Sequence, residues 1–597
     1  MKAAQDRQKS YANRRRRDLE FDVGDHVFLR VMPMRGVRRF GVSGVLVEEA
    51  ASRFQPQGVY SSAMATHLSW FLLGLLVLAA ANAEYLVSDK FNRSSFPEGF
   101  LFGASSSAYQ YEGSPGTRGD TIWEAFVRDF PYKIADRSNA NVTDDFLKHY
   151  KEDVKLMKDI GMNVFRFSIS WARVLPSKFL FNKPSEYRWS DEQYAGVNLE
   201  GGGVSGGVNK TRVDFYKSLI DELLANDTHI GIQPFVTLFH FDLPQALEKE
   251  CEGFLNPNIT DDFKDYAEFC FKEFGGKVKH WITFNEPYVY ILMGYDLGDM
   301  APGRCSAWRI NNCPDGNSST EPYIVGHNML IAHAKAAKVY MEEYQESQKG
   351  EIGITLAVGW MYPYSKKFAD KKAANRALDF MYGWFIHPLV YGDYPRIMKD
   401  HVRDRLPKFN DSEATLLIGS YDFIALNYYS SNYAVHVPRH HKPAHLSFST
   451  DDLAILTSEK DGKPIGKPLG NTYKVPEGLK KILNYTKNHY KSPRMYITEN
   501  GLGDSNEIIE EDTNNPEKTC IKDPERIEYY RAHLSALKEA IDDGVDVKGF
   551  MAWSLLDTWE WSSGFTLRYG LIYVDYQNEV KRCLKKSAAW YKKFLLH

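Results

Sequence analysis

From residue 96 onward, short runs of β-branched, aromatic and other apolar residues alternate with longer stretches in which apolar positions recur at helical spacing. Runs at 101–104, 163–171, 233–240, 279–285, 351–357, 422–428, 494–498 and 548–554 read as buried strands. Patterns at 145–160, 211–225, 261–274, 324–344 and 524–542 read as amphipathic helices between them. Strand followed by helix, repeated eight times, predicts an α/β fold: a single (β/α)8 TIM barrel over residues 84–597 with long loops on the catalytic face.

Two glutamates stand where a strand pattern gives way to a turn. Glu286 follows His280-Trp281-Ile282-Thr283-Phe284-Asn285 and precedes Pro287, while Glu499 follows Met495-Tyr496-Ile497-Thr498 and precedes Asn500-Gly501. In a parallel barrel the reacting side chains come from the carboxyl ends of several strands, so both carboxylates fall on the reactive face. Such a pair suggests a general acid and a nucleophile. Taken singly, each could instead accept backbone N–H bonds in its own turn.

The chain has 597 residues, 43% hydrophobic and 14% aromatic, enough for a large core. Its formal charge of −3 gives no global attraction to nucleic acid or anionic membrane. The one basic cluster, Arg14-Arg15-Arg16-Arg17, lies in a polar extension over 1–63. That extension resembles the tail of the integrase region of gypsy-class retrotransposon polyproteins and reads as a misjoined gene model. At 64–83 a leader follows: Met64, an apolar stretch from Leu68 to Ala81, then Ala81-Asn82-Ala83 with small residues at both cleavage-determining positions. The pattern predicts secretion to the apoplast or cell wall, or delivery to the vacuole, with no membrane anchor after cleavage. Cys305 and Cys313, close together in a Gly/Pro/Asn-rich segment, suggest a local disulfide, while pairing among Cys251, Cys270, Cys520 and Cys583 stays open. Glycosylation sequons begin at Asn92, Asn141, Asn209, Asn226, Asn258, Asn317, Asn410 and Asn484. No metal-ligand spacing, phosphate-cradling loop or dinucleotide fingerprint stands out, so chemistry without a metal or cofactor is expected.

Several separated motifs occur together: Phe102-Gly103-Ala104 with Tyr109-Gln110-Tyr111-Glu112-Gly113, Arg166-Phe167-Ser168-Ile169-Ser170-Trp171, Leu238-Phe239-His240, Thr283-Phe284-Asn285-Glu286-Pro287, Ile497-Thr498-Glu499-Asn500-Gly501 and Trp553-Ser554-Leu555-Leu556-Asp557. Through them the chain, from Phe96 to Leu596, resembles glycoside hydrolase family 1, and within it the secreted plant β-glucosidases. The resemblance implies a retaining β-glucosidase in which Glu286 is the general acid/base and Glu499 the nucleophile. It further implies that Gln110, His240, Asn285, Glu560 and Trp561 hydrogen-bond sugar hydroxyls and that Trp553 is the stacking platform. Asn427 and Tyr429 match residues lining the site near the nucleophile, and Arg166 matches the arginine that orients it. Glutamate at 286, where the related myrosinases have glutamine, argues for O-glycosides over glucosinolates. Three other readings stand beside this one. The same intermediate could serve transglucosylation, the chain could be an inactive carbohydrate-binding homologue, and the basic arm could make it nucleic-acid-associated. The last predicts DNA binding that vanishes when residues 1–63 are removed.

The chain departs from the family pattern in three places. An extra segment at 178–203 follows the second strand pattern and would emerge on the catalytic face; it reads as a retained intron. A small insertion at 227–230 falls on the opposite face. On the aglycone side, Gly470-Asn471-Thr472-Tyr473 lacks a common tryptophan, Phe241 replaces another, and Tyr569, in the substrate pocket, replaces a common phenylalanine. Leaving-group preference and oligomeric state are therefore left open.

Overall fold

Eight parallel strands close into a barrel: β1 (Leu101–Ser105), β2 (Val164–Ser168), β3 (Gln233–Phe239), β4 (His280–Asn285), β5 (Glu351–Val358), β6 (Phe423–Tyr428), β7 (Met495–Glu499) and β8 (Val547–Trp553). Each pairs with its sequence neighbours, and β8 closes on β1 with Leu101 opposite Gly549 and Ser105 opposite Trp553. This computed structural model describes residues 91–597 except 115, 177–207, 226–230, 312, 439–444, 506–519 and 597. The polar extension, the leader and both insertions lie outside the described residues.

Seven of the eight expected strands agree with the structure to within a residue at either end. The second is shorter than expected. The strand ends at Ser168, and Trp171–Val174 forms a short helix in which the Trp171 ring stacks on Tyr266 of the helix outside, 4.6 Å away. An apolar run counts burial, and burial against a helix looks the same in sequence as burial in a barrel. The helix expected at 324–344 starts earlier, at Glu321, and passes through a wider π-type turn at Tyr340–Tyr344.

The outer layer follows ordinary amphipathic logic. Helix Ile259–Phe274 buries Phe263, Tyr266, Ala267, Cys270, Phe271 and Phe274, three or four residues apart, along one face. Asp261 and Asp262 lie in its first turn and Lys272 in its last, which suits the helix dipole.

The barrel interior is solid. Leu101, Val164, Phe235, Ile282, Phe423, Ala425, Tyr496 and Met551 form one buried cluster, with side chains from every strand except β5. On β5, a Cβ at Gly353 would stand 2.6 Å from the Phe423 ring, so the missing side chain is what admits the ring. Phe235 meets Tyr496 edge-on at 5.0 Å and stacks on His280 at 4.1 Å. Phe235→Ala should cost about 3–5 kcal/mol, because no neighbour can swing in to fill the gap. Urea unfolding measures this, and a loss below about 1 kcal/mol would mean that the layer collapses around the gap instead.

Candidate active site

Both glutamates sit at carboxyl ends of strands, and both follow a local slip in pairing. The β4–β5 register shifts between Ile282 and Asn285, and the β7–β6 register shifts between Ile497 and Glu499. An irregularity of this kind turns the next side chain away from simple alternation, which is how a strand end can aim a side chain into the mouth of a barrel. Glu286 is the first residue past β4. It holds a left-handed backbone (φ 44°) and is followed by Pro287, which opens the helix Pro287–Ile291. Its N–H donates to Thr355 O on β5 at 2.9 Å.

Around these two carboxyls the strand ends bring together side chains that are distant in sequence. Arg166 on β2 donates from Nη1 to Glu499 Oε1 and from Nη2 to Asn285 Oδ1, both at 2.6 Å, and from Nε to Thr237 Oγ1 at 3.1 Å. The Tyr429 hydroxyl donates to the other nucleophile-side oxygen, Glu499 Oε2, at 2.7 Å. Asn427 on β6 donates from Nδ2 to Glu286 Oε1 at 2.9 Å and to Asn285 Oδ1 at 3.1 Å. Its own oxygen accepts from Thr498 Oγ1 at 2.8 Å. Asn285 Nδ2 meets His240 Nε2 at 3.1 Å, and the His240 ring lies nearly parallel to Trp553 and to Trp561 at 5.8 and 5.9 Å.

The remaining sequence-derived positions form the adjoining wall. Gln110, fully buried on a short helix after β1, accepts from Ser107 Oγ at 2.7 Å and donates to Trp559 O at 3.1 Å. Glu560 accepts from Thr558 Oγ1 at 2.7 Å. The Tyr569 hydroxyl bonds to Asn471 Nδ2 at 2.7 Å, and its ring stands edge-on to Tyr429 at 6.0 Å. Phe241 packs against Trp561 at 5.2 Å and stacks on Tyr290. Cys305 and Cys313 form a disulfide in the loop after β4, away from this bond network, and Cys520 pairs with Cys583, a match that sequence had left open. Among the described residues, no group of three or more His, Cys, Asp or Glu is placed to hold a metal ion.

The two carboxyls have unlike surroundings. Burial pushes the Glu286 carboxyl up to about 8, and the Glu499 charge pushes the same way, against the Asn427 hydrogen bond and Arg166. Of the two causes, burial is the larger. Burial raises the Glu499 carboxyl too, but there the Arg166 charge and hydrogen bonds from Arg166 and Tyr429 oppose it. A proton shared by the site therefore rests on Glu286, and Glu499 is the anion. Burial also raises Glu560 to about 8 and holds the His240 imidazole well below its usual range, keeping it neutral.

Three polar residues of this network were missed in the sequence: Thr237, Thr498 and Thr558. At Thr237 the available signal was a lone polar residue inside an apolar run, because a buried hydroxyl must find a partner. Removing the hydroxyl that bonds the anion tests the network. Tyr429→Phe should lower kcat/KM by about 10- to 100-fold, the worth of one hydrogen bond to a charged acceptor. It should also move the acidic limb of the pH profile upward, since a donor that favours the charged form is gone. An unmoved acidic limb would remove Tyr429 from that role.

Comparison with known proteins accounts for this arrangement. The Glycosyl hydrolase family 1 profile matches residues 92–185 and 200–597. The chain is 47% identical over 533 residues to Beta-glucosidase 12 of Oryza sativa subsp. indica, covering 89% of this chain and 98% of that protein. It is 50% identical over 510 residues to furcatin hydrolase of Viburnum furcatum, covering 85% and 87%. A crystal structure of a rice β-glucosidase superposes with a TM-score of 0.75 at 44% identity, over 85% of this chain and all of that one. A mutant of the same rice enzyme, solved in a covalent complex with glucose, superposes equally well at 43% identity. The chain belongs to glycosyl hydrolase family 1, as a glycoside hydrolase of the β-glucosidase type.

Proposed function

We propose that the protein is a retaining β-glucosidase that removes terminal β-D-glucosyl residues from oligosaccharides or small-molecule glucosides. The observation that carries this reading is the unlike pair: a carboxyl held protonated at Glu286 beside a carboxylate held by Arg166 and Tyr429 at Glu499. In the first step Glu499 attacks the anomeric carbon while Glu286 passes its proton to the departing oxygen. With Glu499 esterified, its negative charge is gone, one of the two causes that raise the Glu286 carboxyl is removed, and Glu286 can take a proton from water. Water then attacks the same carbon and releases glucose with its configuration retained. The covalent glucose complex of the rice enzyme supports this route.

Gln110, His240, Asn285, Glu560 and Trp561 would hold the sugar hydroxyls, with Trp553 under the ring. Buried donors and acceptors of fixed direction beside indole faces suit a polyol that must give up its water. The leader at 64–83 and two disulfides support synthesis through an oxidising secretory route. A fusion to residues 64–83 that stays in the cytosol would overturn that part.

The test of the mechanism is intact mass and peptide mapping after incubation with an activated 2-deoxy-2-fluoro-β-glucoside. The expected result is one glycosyl adduct on Glu499. An adduct on another residue, or turnover with inverted anomeric configuration, would sink the reading.

A further inference from the structure

A glycan grown from a sequon must leave the fold through the asparagine Nδ2, so what each amide does in the folded chain separates one sequon from another. Asn484 stands inside the helix Pro476–His489, and its Nδ2 donates to Lys480 O at 3.1 Å. Asn209 and Asn410 cap helices with their side-chain oxygens. Asn317 is exposed, and its own sequon serine holds the oxygen: Ser319 donates to Asn317 Oδ1 from N–H at 3.0 Å and from Oγ at 2.7 Å. With Oδ1 fixed in that turn, Nδ2 is the end left to solvent. Ser94 holds Asn92 in the same way, so the turn alone does not set Asn317 apart.

The groove beside it does. Ser306 and Ser318 exchange N–H···Oγ bonds, each 2.9 Å long, and Ser318 Oγ donates to Asp296 O at 2.7 Å. A Cβ at Gly316 would stand 2.5 Å from Cys305 N, so glycine is what lets the chain close this tightly against the Cys305–Cys313 disulfide. The sequon is thereby pinned next to a groove of about 490 Å³ lined by Ser306, Trp308, Asn317, Ser319, His445 and Leu446. Trp308 lies nearly parallel to His445 at 4.9 Å, with the Arg309 guanidinium over its ring at 4.7 Å, and is still 41% exposed. Leu446 is 48% exposed. Apolar side chains with hydroxyls and an amide around them suit a sugar, whose carbon-bound hydrogens and hydroxyls present both kinds of surface. Each such contact is weak, but a sugar joined to Asn317 is already tethered at the groove, so weak contacts are enough to seat it.

We propose that Asn317 carries an N-linked glycan whose first N-acetylglucosamine lies in this groove, against Trp308 and Leu446. Asn317 and Trp308 belong to the loop after β4, and His445 and Leu446 to the loop after β6, so the sugar ties together two loops of the catalytic face. In the transfer, Nδ2 attacks C1 of an oligosaccharide carried on a lipid diphosphate. The bond from C1 to the diphosphate oxygen breaks, the diphosphate leaves with the electron pair, and Nδ2 gives up one proton. The proposal rests on the secretory route proposed above.

The test uses the full chain expressed in plant cells. Peptide N-glycosidase in heavy-oxygen water converts each glycosylated asparagine to a mass-marked aspartate, and peptide mapping should find the mark at Asn317. A sugar seated in the groove covers most of the exposed indole, so hydroxyl radicals should oxidise Trp308 at least about three-fold more slowly than after the glycan is removed. Trimming to a single N-acetylglucosamine should keep that protection. Ser319→Ala removes the sequon and leaves the groove, so Trp308 should be oxidised at the fast rate. An unmarked Asn317 in a chain that has lost its leader would overturn the proposal. Oxidation of Trp308 that is equal with and without the glycan, or protection lost on trimming to one sugar, would overturn the seating in the groove, and both are read on the wild type whether or not the variant folds. Failure of the secretory reading shows separately, as a chain that keeps residues 64–83 and carries no mark at any sequon, and the proposal falls with it.

Discussion

Glu499→Gly should lower kcat for aryl β-glucosides by at least about four orders of magnitude, or about 5.5 kcal/mol, and azide should restore turnover as α-glucosyl azide. The carboxylate is nearly fully buried and accepts from both Arg166 Nη1 and the Tyr429 hydroxyl. Without it those two donors line a small anionic hole. Azide has the right charge and size to occupy that hole, and it attacks from the face that the carboxylate used. Only one displacement then occurs, so the product is inverted. Proton NMR of the anomeric centre reads the outcome. A β-azide from this variant would mean that Glu499 is not on the attacking face, and the assignment of nucleophile would be lost.

Glu286→Gln should behave differently with different leaving groups. A disaccharide or alkyl glucoside needs its departing oxygen protonated, so turnover should fall by roughly 100- to 10,000-fold, the usual contribution of a positioned acid. A dinitrophenyl glucoside departs without help, so the glycosyl-enzyme should still form and accumulate as a burst. The pH profile gives the second reading. In the wild type the Glu286 carboxyl is raised from its ordinary value to about 8, chiefly by burial and then by Glu499. The working form is the protonated one, so kcat/KM for a poor leaving group should hold at neutral pH and decline as pH rises through about 8. In Glu286→Gln that alkaline limb should disappear. Equal losses on both substrates, or an unchanged alkaline limb, would show that the titrating acid lies elsewhere.

Much of the fold was legible in the sequence, because strand and helix periodicity is a local property. Runs such as Trp281-Ile282-Thr283-Phe284 announce buried strands whatever lies beside them, and the order of runs and helices then leaves few topologies. The second strand shows the limit: Trp171 reads as barrel and instead packs on Tyr266 outside it. The two glutamates could be placed at strand ends, but the register slips before Asn285 and before Glu499 could not, since pairing depends on the partner strand. The partners of Thr237 and Thr498 could not be read from sequence for a related reason. Each matters only through a partner from another part of the chain: Arg166 for Thr237, and Asn427 for Thr498. The same holds for Glu286. Its own residues show that a carboxylate is present, but the burial that sets its proton affinity belongs to the assembled barrel.

The bonds that define the pocket tie the first strands of the barrel and the turn after them to the last strands. Ser105 Oγ donates to Thr498 O across 393 residues, Gln110 to Trp559 O across 449, and Arg166 to Glu499 across 333. A chain leaving the ribosome therefore carries Glu286 long before it has the strand bearing Glu499 or the strand that closes the ring. The burial that raises the Glu286 carboxyl belongs to the closed barrel, in which β8 pairs with β1. The Arg166 hydrogen bond that holds Glu499 likewise joins the second strand of the barrel to the seventh, and a chain that lacks either strand lacks it.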